Sequence, residues 1–183
     1  MAFWRSIASS VAILALLSCT GTKLPELGPV DHFLLTDQTN QPFDAEKLKG
    51  KVWVADFMFT SCPGPCPRMS GQMQSIQSEL KGTGIQLVSF TVDPVHDTPE
   101  VLAAYGAKFK AEPGTWHFLT GDQGDLNHLA KDVFKLGVID GSLEHSTRFV
   151  LIDAAGQIRG YYLTSEADAI PNLIRDARVL LRS

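Results

Sequence analysis

The sequence predicts an α/β fold with a central mixed sheet flanked by helices. Three observations carry this expectation. The apolar runs Val52–Phe59 and Ile85–Val92 do not alternate with polar residues, so they read as strands buried on both faces. Segments with helical spacing follow each of them. After these the chain reads strand, turn, strand, helix, which is a hairpin with a closing helix.

Taken in order, residues 1–18 read as an export signal of the lipoprotein type. Arg5 supplies the positive start, and the apolar stretch Ile7–Leu17 is too short to span a bilayer comfortably. Residues 19–29 hold Gly, Pro and polar residues without periodicity and read as a tether. A single domain is expected over 30–183, a length that can bury a full-sized core. His32–Thr36 reads as a first strand, and Asp37–Gln41 as the turn from which Pro42-Phe43 returns. Asp44–Lys49 suits one short helical turn stopped by Gly50. Beyond Thr60-Ser61, Met69, Met73, Ile76 and Leu80 fall on one face of a helix.

Asp97 or Thr98 then offers an N-cap and Pro99 a first helical position, with Val101, Leu102, Tyr105 and Phe109 facing inward. Glu112–Gly114 is a turn and Trp116–Leu119 a short strand. Asp122–Lys135 reads as a helix with Leu126, Leu129 and Val133 inward, followed by a polar loop over Gly137–Glu144. Arg148–Ile152 and Gln157–Leu163 form the hairpin around Asp153–Gly156. Glu166–Arg182 closes the chain as a helix packed through Ile170, Leu173, Ala177 and Leu180.

The chemistry concentrates between the strand at Val52–Phe59 and the helix after it. There Cys62 and Cys66 bracket Pro63-Gly64-Pro65. Pro65 and Pro67 lack N–H donors, so they fit only at or before the first helical turn. Two thiols therefore stand at a helix N-terminus, whose partial positive charge favours thiolate. The four-residue step puts both sulfurs on one face, where they can join as a disulfide or hold one metal ion. The position also predicts that they lie at the edge of the fold. A reactive cysteine pair at the end of a central strand, with a later hairpin and helix, is the thioredoxin-like arrangement. The C-x-x-x-C spacing is one residue wider than the redox C-x-x-C.

With these motifs in order, the sequence resembles the Sco (SenC-type) family of copper chaperones for cytochrome c oxidase assembly. The residues that carry the resemblance are Thr60-Ser-Cys62-Pro-Gly-Pro-Cys66-Pro, Phe90-Thr-Val-Asp93-Pro-Val-His-Asp97-Thr-Pro and His145-Ser-Thr-Arg-Phe-Val-Leu-Ile-Asp153. The resemblance implies copper ligation by Cys62, Cys66 and His145. It also implies that acidic residues of the second motif, Asp93 and Asp97, assist metal loading from just behind the ligands. For Asp97 alone, capping and turn-making is the stronger reading. Gly64 departs from the acidic residue often found in the family's loop. Soft thiolates select Cu(I) over hard ions, in agreement with that ligand set. Met58, Met69 and Met73 are also soft donors, but their positions on a strand and an apolar helix face suit the core. His32, His117 and His128 read as structural or exposed, and His96 as solvated.

Leu16-Leu17-Ser18-Cys19 resembles the bacterial lipobox, which implies cleavage before Cys19 and a lipid on its sulfur. This accounts for the third of three cysteines and places the domain outside the cytoplasm, facing the periplasm or cell exterior on a membrane. The net charge of −4 and the lack of a basic run leave nucleic-acid binding without a footprint.

Two functions remain open on these residues. One is a metallochaperone whose partners are the copper-receiving oxidase subunit, thiol reductants and the membrane. The other is a thiol-disulfide reductase acting on the cysteines of the oxidase copper site. His145 separates them, since only copper binding needs a third donor. A peroxidase of the same fold lacks its Pro-x-x-x-Thr-x-x-Cys approach to the nucleophile.

Overall fold

A computed structural model describes residues 23–136 and 146–182. The signal segment 1–18, Cys19, the polar loop at 137–144 and His145 lie outside the described residues.

The described strands are β1 (Gly28–Pro29), β2 (Leu34–Asp37), β3 (Pro42–Asp44), β4 (Trp53–Met58), β5 (Gln86–Thr91), β6 (Trp116–Thr120), β7 (Arg148–Ile152) and β8 (Gln157–Leu163). They form one sheet in the order β1-β8-β7-β4-β5-β6-β2-β3. β4, β5 and β6 are parallel neighbours. Parallel strands need crossovers, and two helices supply them: α1 (Pro65–Glu79) and α2 (Pro99–Lys108). Every residue of β4 and β5 is buried, including Asp56, Gln86, Ser89 and Thr91, because both faces of these central strands are covered. β7 runs antiparallel to β4, and β8 antiparallel to β7, so β8 and β4 point the same way.

Register assigns the two faces. Phe57 lies beside Phe90, their rings stack at 5.1 Å, and each meets Phe134 at 5.6 Å. Phe134 follows α3 (Gln123–His128) and a π turn, Leu129–Val133. The opposite face carries Val54, Asp56 and Met58 of β4, with Asp56 beside Ser89 of β5 and Ser89 beside Phe118 of β6. Tyr105 of α2 meets Phe118 edge-on at 6.1 Å and hydrogen-bonds Ser70 of α1 at 2.9 Å, so α1 and α2 lie side by side there. The closing helix α4 (Ala169–Leu180) joins them, with Arg178 bonded to Glu79 at 3.1 Å. Burying each large apolar side chain is worth about 1.5–3 kcal/mol, so the aromatic layer is the main hold on the sheet.

Three expectations change. The continuous helix over 122–135 is instead α3 followed by the π turn, where Phe134 N–H bonds the Leu129 carbonyl at 2.8 Å. The extra residue of a π turn rotates Phe134 into the aromatic cluster, which a regular helix would miss. Val101 is exposed, while Leu102 and Tyr105 are buried, because α2 turns the latter two toward β6. The tether region does not hang free over its whole length. Gly28–Pro29 pairs with Gln157–Ile158 at the sheet edge. Leu27 N–H and Val30 N–H bond the carbonyls of Ile158 and Gly156, both at 2.9 Å. A strand this short has no legible periodicity, and an edge position tolerates Pro29.

Arg159 secures this arm. Its guanidinium donates to the carbonyls of Leu24 at 2.6 Å and Pro25 at 2.7 Å, and to the Asp153 carboxylate at 2.6 Å. Both charged side chains are nearly buried, at 9% and 12% exposed. Removing one partner strands the other charge, so Arg159→Leu should cost about 3 kcal/mol in urea denaturation of the folded domain. A loss near that of an exposed pair, below about 1 kcal/mol, would mean the clamp carries little.

Candidate metal centre

The site is built where β4 stops. Met58 ends the strand, and Val92 N–H still bonds the Met58 carbonyl at 2.8 Å. The chain then turns: Cys62 N–H bonds the Phe59 carbonyl at 3.3 Å, and Gly64 precedes the first residue of α1. Pro65 and Cys66 occupy the first turn of α1, as the missing proline N–H requires. An added Cβ at Gly64 would meet nothing within 4 Å, so the loop has room for the acidic residue that this chain lacks.

Asp97 holds the turn in place. It is fully buried, and its carboxylate accepts from Thr60 N–H at 3.1 Å and from the hydroxyls of Thr60 and Thr91, each at 2.5 Å. One carboxylate thus joins Thr60, the second residue after β4, to the last residue of β5. The N-cap of α2 is Thr98, which accepts from Val101 N–H at 3.4 Å. The capping role considered for Asp97 is therefore corrected, and its carboxylate is a cross-strand tie. Asp93 lies in the same loop, with its carboxylate on His96 Nδ1 at 2.8 Å. That hydrogen bond raises the His96 pKa, although the ring itself is exposed.

Cys62 and Cys66 are not joined as a disulfide, and both are buried, at 8% and 0% exposed. Their side chains hydrogen-bond one another. The expectation that they lie at the edge of the fold is corrected in part. They stand at the end of the sheet, but α1 presses them into its core. The thiolate expectation changes with it. Burial pushes the Cys66 thiol up, and the Cys62 and Asp56 neighbours add to this, while a backbone hydrogen bond at Phe59 opposes it. Desolvation outweighs the field of the helix end, so Cys66 stays protonated in the metal-free dithiol.

Asp56 is a site feature that the sequence reading missed. It is completely buried in β4, and Ser89 Oγ donates to its Oδ1 at 2.6 Å. Its Oδ2 has no hydrogen-bond partner among the described residues. Ser89 in turn accepts from Trp116 Nε1 at 3.0 Å. The signal was a lone charged residue inside an apolar strand, which a count of strand residues passes over. Burial pushes the Asp56 carboxyl up to about 7.

The remaining candidates separate clearly. Met58, Met69 and Met73 have no exposed surface and belong to the core. His32 bonds Asp44 at 2.9 Å, His117 bonds Gln86 at 3.2 Å, and His128 bonds Asp132 at 3.1 Å. Among the described residues, no group of three or more His, Cys, Asp and Glu can hold a metal ion. His145 lies outside the described residues. Ser146, which follows it, stands just before β7, whose first residue is at the same end of the sheet as the last of β4.

The Asp56 carboxyl makes stability depend on pH. Folded, it keeps its proton to about 7; unfolded, it releases it near ~3.9. Between these values the folded state binds the extra proton, so stability falls as pH rises. Asp56→Asn should lose about 2 kcal/mol less stability than the native chain between about pH 5 and about pH 8. Parallel losses in denaturation of the two reduced proteins would show that Asp56 ionises normally.

Comparison with known proteins places this geometry. The SCO1/SenC family model matches residues 25–180, nearly all of the described chain. A protein of Stutzerimonas stutzeri, provisionally named as copper-binding, is 33% identical over 150 residues, covering 75% of this chain and 71% of its own length. A solved structure from Bacillus anthracis, described as a SCO1/SenC family lipoprotein, is 37% identical with a TM-score of 0.77, covering 83% of this chain and 94% of its own. That of BsSco, described as a member of the Sco family of cytochrome c oxidase assembly proteins and as having a disulfide switch, is 30% identical with a TM-score of 0.78. It covers 87% of this chain and 98% of its own. The strand-end cysteine pair, the sheet that carries it and the match from arm to closing helix agree on one assignment: the chain belongs to the SCO1/SenC family.

Proposed function

We propose that the chain is a metallochaperone that carries copper as cargo to the copper-receiving subunit of cytochrome c oxidase during its assembly. The observation that carries this reading is the buried, reduced pair Cys62 and Cys66, in mutual hydrogen bond at the start of α1. In this reading the two sulfurs and the His145 imidazole hold one Cu(I). Thiolate donors favour Cu(I), and three ligands leave a position through which a recipient's donor can enter. Metal binding displaces the thiol protons. Asp97 fixes the Cys62 turn, and Asp93 stands in the neighbouring loop as a second acidic residue near the entry of metal. The S. stutzeri and BsSco relatives support copper and oxidase assembly respectively.

The reductase reading is less well supported. Attack on a disulfide needs a thiolate with access to its target. Here Cys66 is fully buried, and its thiol is pushed up rather than down.

In the same reading Cys19 carries lipid, and the domain is held at a membrane facing the periplasm or cell exterior. The lipobox-like Leu16-Leu17-Ser18-Cys19 and the B. anthracis lipoprotein support this. Among the described residues, no helix is long and apolar enough to cross a membrane.

The reduced domain is expected to bind one Cu(I), and the double variant Cys62→Ser with Cys66→Ser none. Competition against a Cu(I) chelator should show His145→Ala weakened by more than ~100-fold, beyond the ~10–100-fold typical of losing a residue behind the ligands. The reduction potential of the cysteine pair should move little in that variant. Unchanged copper affinity with a potential displaced by ~30 mV or more, a tenfold change in the thiol–disulfide equilibrium, would replace the chaperone with the reductase.

A further inference from the structure

The charge of the folded domain is divided between its two ends. The parallel strands β4, β5 and β6 all point toward the cysteine end, so their starts define the opposite one. Exposed Lys49 and Lys51 precede β4 there, and Gly50 N–H between them bonds the Ala154 carbonyl, in the turn before β8, at 3.0 Å. Exposed Lys81 stands between α1 and β5, exposed Lys108 ends α2, and exposed Lys110 follows it. Lys81 meets Glu112 at 2.6 Å, and Gln77 donates to the Lys110 carbonyl at 3.0 Å, so these segments touch. Exposed Arg178 and Arg182 stand at the end of α4, where Arg178 reaches Glu79 of α1 at 3.1 Å.

Glu46, Glu79 and Glu112 answer Lys49, Arg178 and Lys81 in ion pairs. Lys51, Lys108, Lys110 and Arg182 form no ion pair among the described residues, so the end is net basic in a chain whose total charge is −4. Pairs on an exposed surface hold weakly and leave their cations available to other anions. No run in the sequence announces this end, because segments far apart in the chain supply it. The cysteine end has the reverse balance. Exposed Glu100, Asp122, Glu166 and Asp168 follow β5, β6 and β8, against exposed Arg68 and Arg148. Six residues of β4 separate the ends, a distance of about 20 Å. That exceeds the ~8 Å over which salt screens a charge, so each end meets its own surroundings.

We propose that this basic end docks on the anionic lipid headgroups of a membrane surface and turns the cysteine end away from it. Lysines dominate the end, and an ammonium on a flexible stem suits fluid headgroups that offer no fixed bidentate geometry. Each cation close to an anionic leaflet favours contact by about fivefold. A protein partner would instead need a buried aromatic anchor, and the exposed large hydrophobics near this end, Leu27 and Val179, include none. The acidic cysteine end is repelled by the same surface. A recipient then meets the thiols on the side away from the headgroups. The proposal rests on neither the copper ligands nor the state of Cys19.

The test uses the full chain, reconstituted in vesicles that carry a headgroup-linked acceptor dye. A fluorescent amino acid replaces exposed Ala155, in the turn at the basic end, or exposed Ala167, past β8 at the cysteine end. Seven strand residues separate the two sites, so their heights differ by at least ~20 Å. In phosphatidylethanolamine–phosphatidylglycerol vesicles, energy transfer should be at least about threefold greater from Ala155. Three changes should each bring the two signals within about twofold. They are vesicles of phosphatidylcholine alone, ~1 M salt, which shortens the screening length to ~3 Å, and the triple variant Lys51→Gln, Lys110→Gln and Arg182→Gln. The first two keep the native chain, so a folding defect in the variant cannot imitate them. Equal or greater transfer from Ala167 in the anionic vesicles, or a difference that survives neutral lipid, salt or the triple variant, would overturn the proposal. Copper stoichiometry and the mass of the Cys19 residue are read on the same sample. Neither enters the comparison, so failure of the copper or lipid reading leaves its outcome standing.

Discussion

Everything at the cysteine end depends on one buried carboxylate. Asp97 accepts from the Thr60 backbone and from the Thr60 and Thr91 hydroxyls, with no exposed surface of its own. A buried charge is tolerated only when its lone pairs are met by donors, and here the donors come from the ends of two adjacent parallel strands. The consequence is geometric. The two-residue step from Thr60 to Cys62 starts from a fixed point, and Pro65 fixes where α1 begins. The two thiols are held between those limits by backbone, without needing metal to order them.

The second constraint is desolvation. Met69, Met73 and Ile76 draw α1 against the sheet with no exposed surface, and Cys66 goes down with them. A metal-free Cys66 placed this way is poor at attacking other molecules, because burial keeps the proton on its sulfur. The same burial suits a soft cation, which neutralises the thiolates once they form and needs few waters. Asp56 lies beneath this layer as a carboxyl that burial also keeps protonated at mildly acidic pH. A neutral Asp56 removes one of the charges that oppose a thiolate at Cys66.

Much of this was legible in the chain. Arg148–Ile152 and Gln157–Leu163 coincide with β7 and β8 because a hairpin with a Gly156 turn leaves the register little freedom. The central strands and the Pro65 helix start were legible for similar reasons: continuous apolar runs and a residue that can occupy few positions. What escaped reading lacked a local signal. Arg159 meets Leu24 and Pro25 only through the folded sheet. Asp97 looked like a cap because Asp before Pro99 suits one, whereas its partners Thr60 and Thr91 are set by the parallel register of β4 and β5. Phe134 depends on a π turn that no helical periodicity announces. The burial of Cys62 and Cys66 was hidden by the loop-like composition around Gly64, since exposure is decided by how closely α1 approaches β4.

The central claim is that two sulfurs and one imidazole hold the cargo. Copper K-edge absorption of the reduced, copper-loaded domain reads that shell directly. The account predicts two sulfur scatterers and one nitrogen scatterer in the native chain, with the nitrogen lost and both sulfurs kept in His145→Ala. A shell of sulfur alone in the native protein, or a nitrogen that persists in His145→Ala, would contradict it.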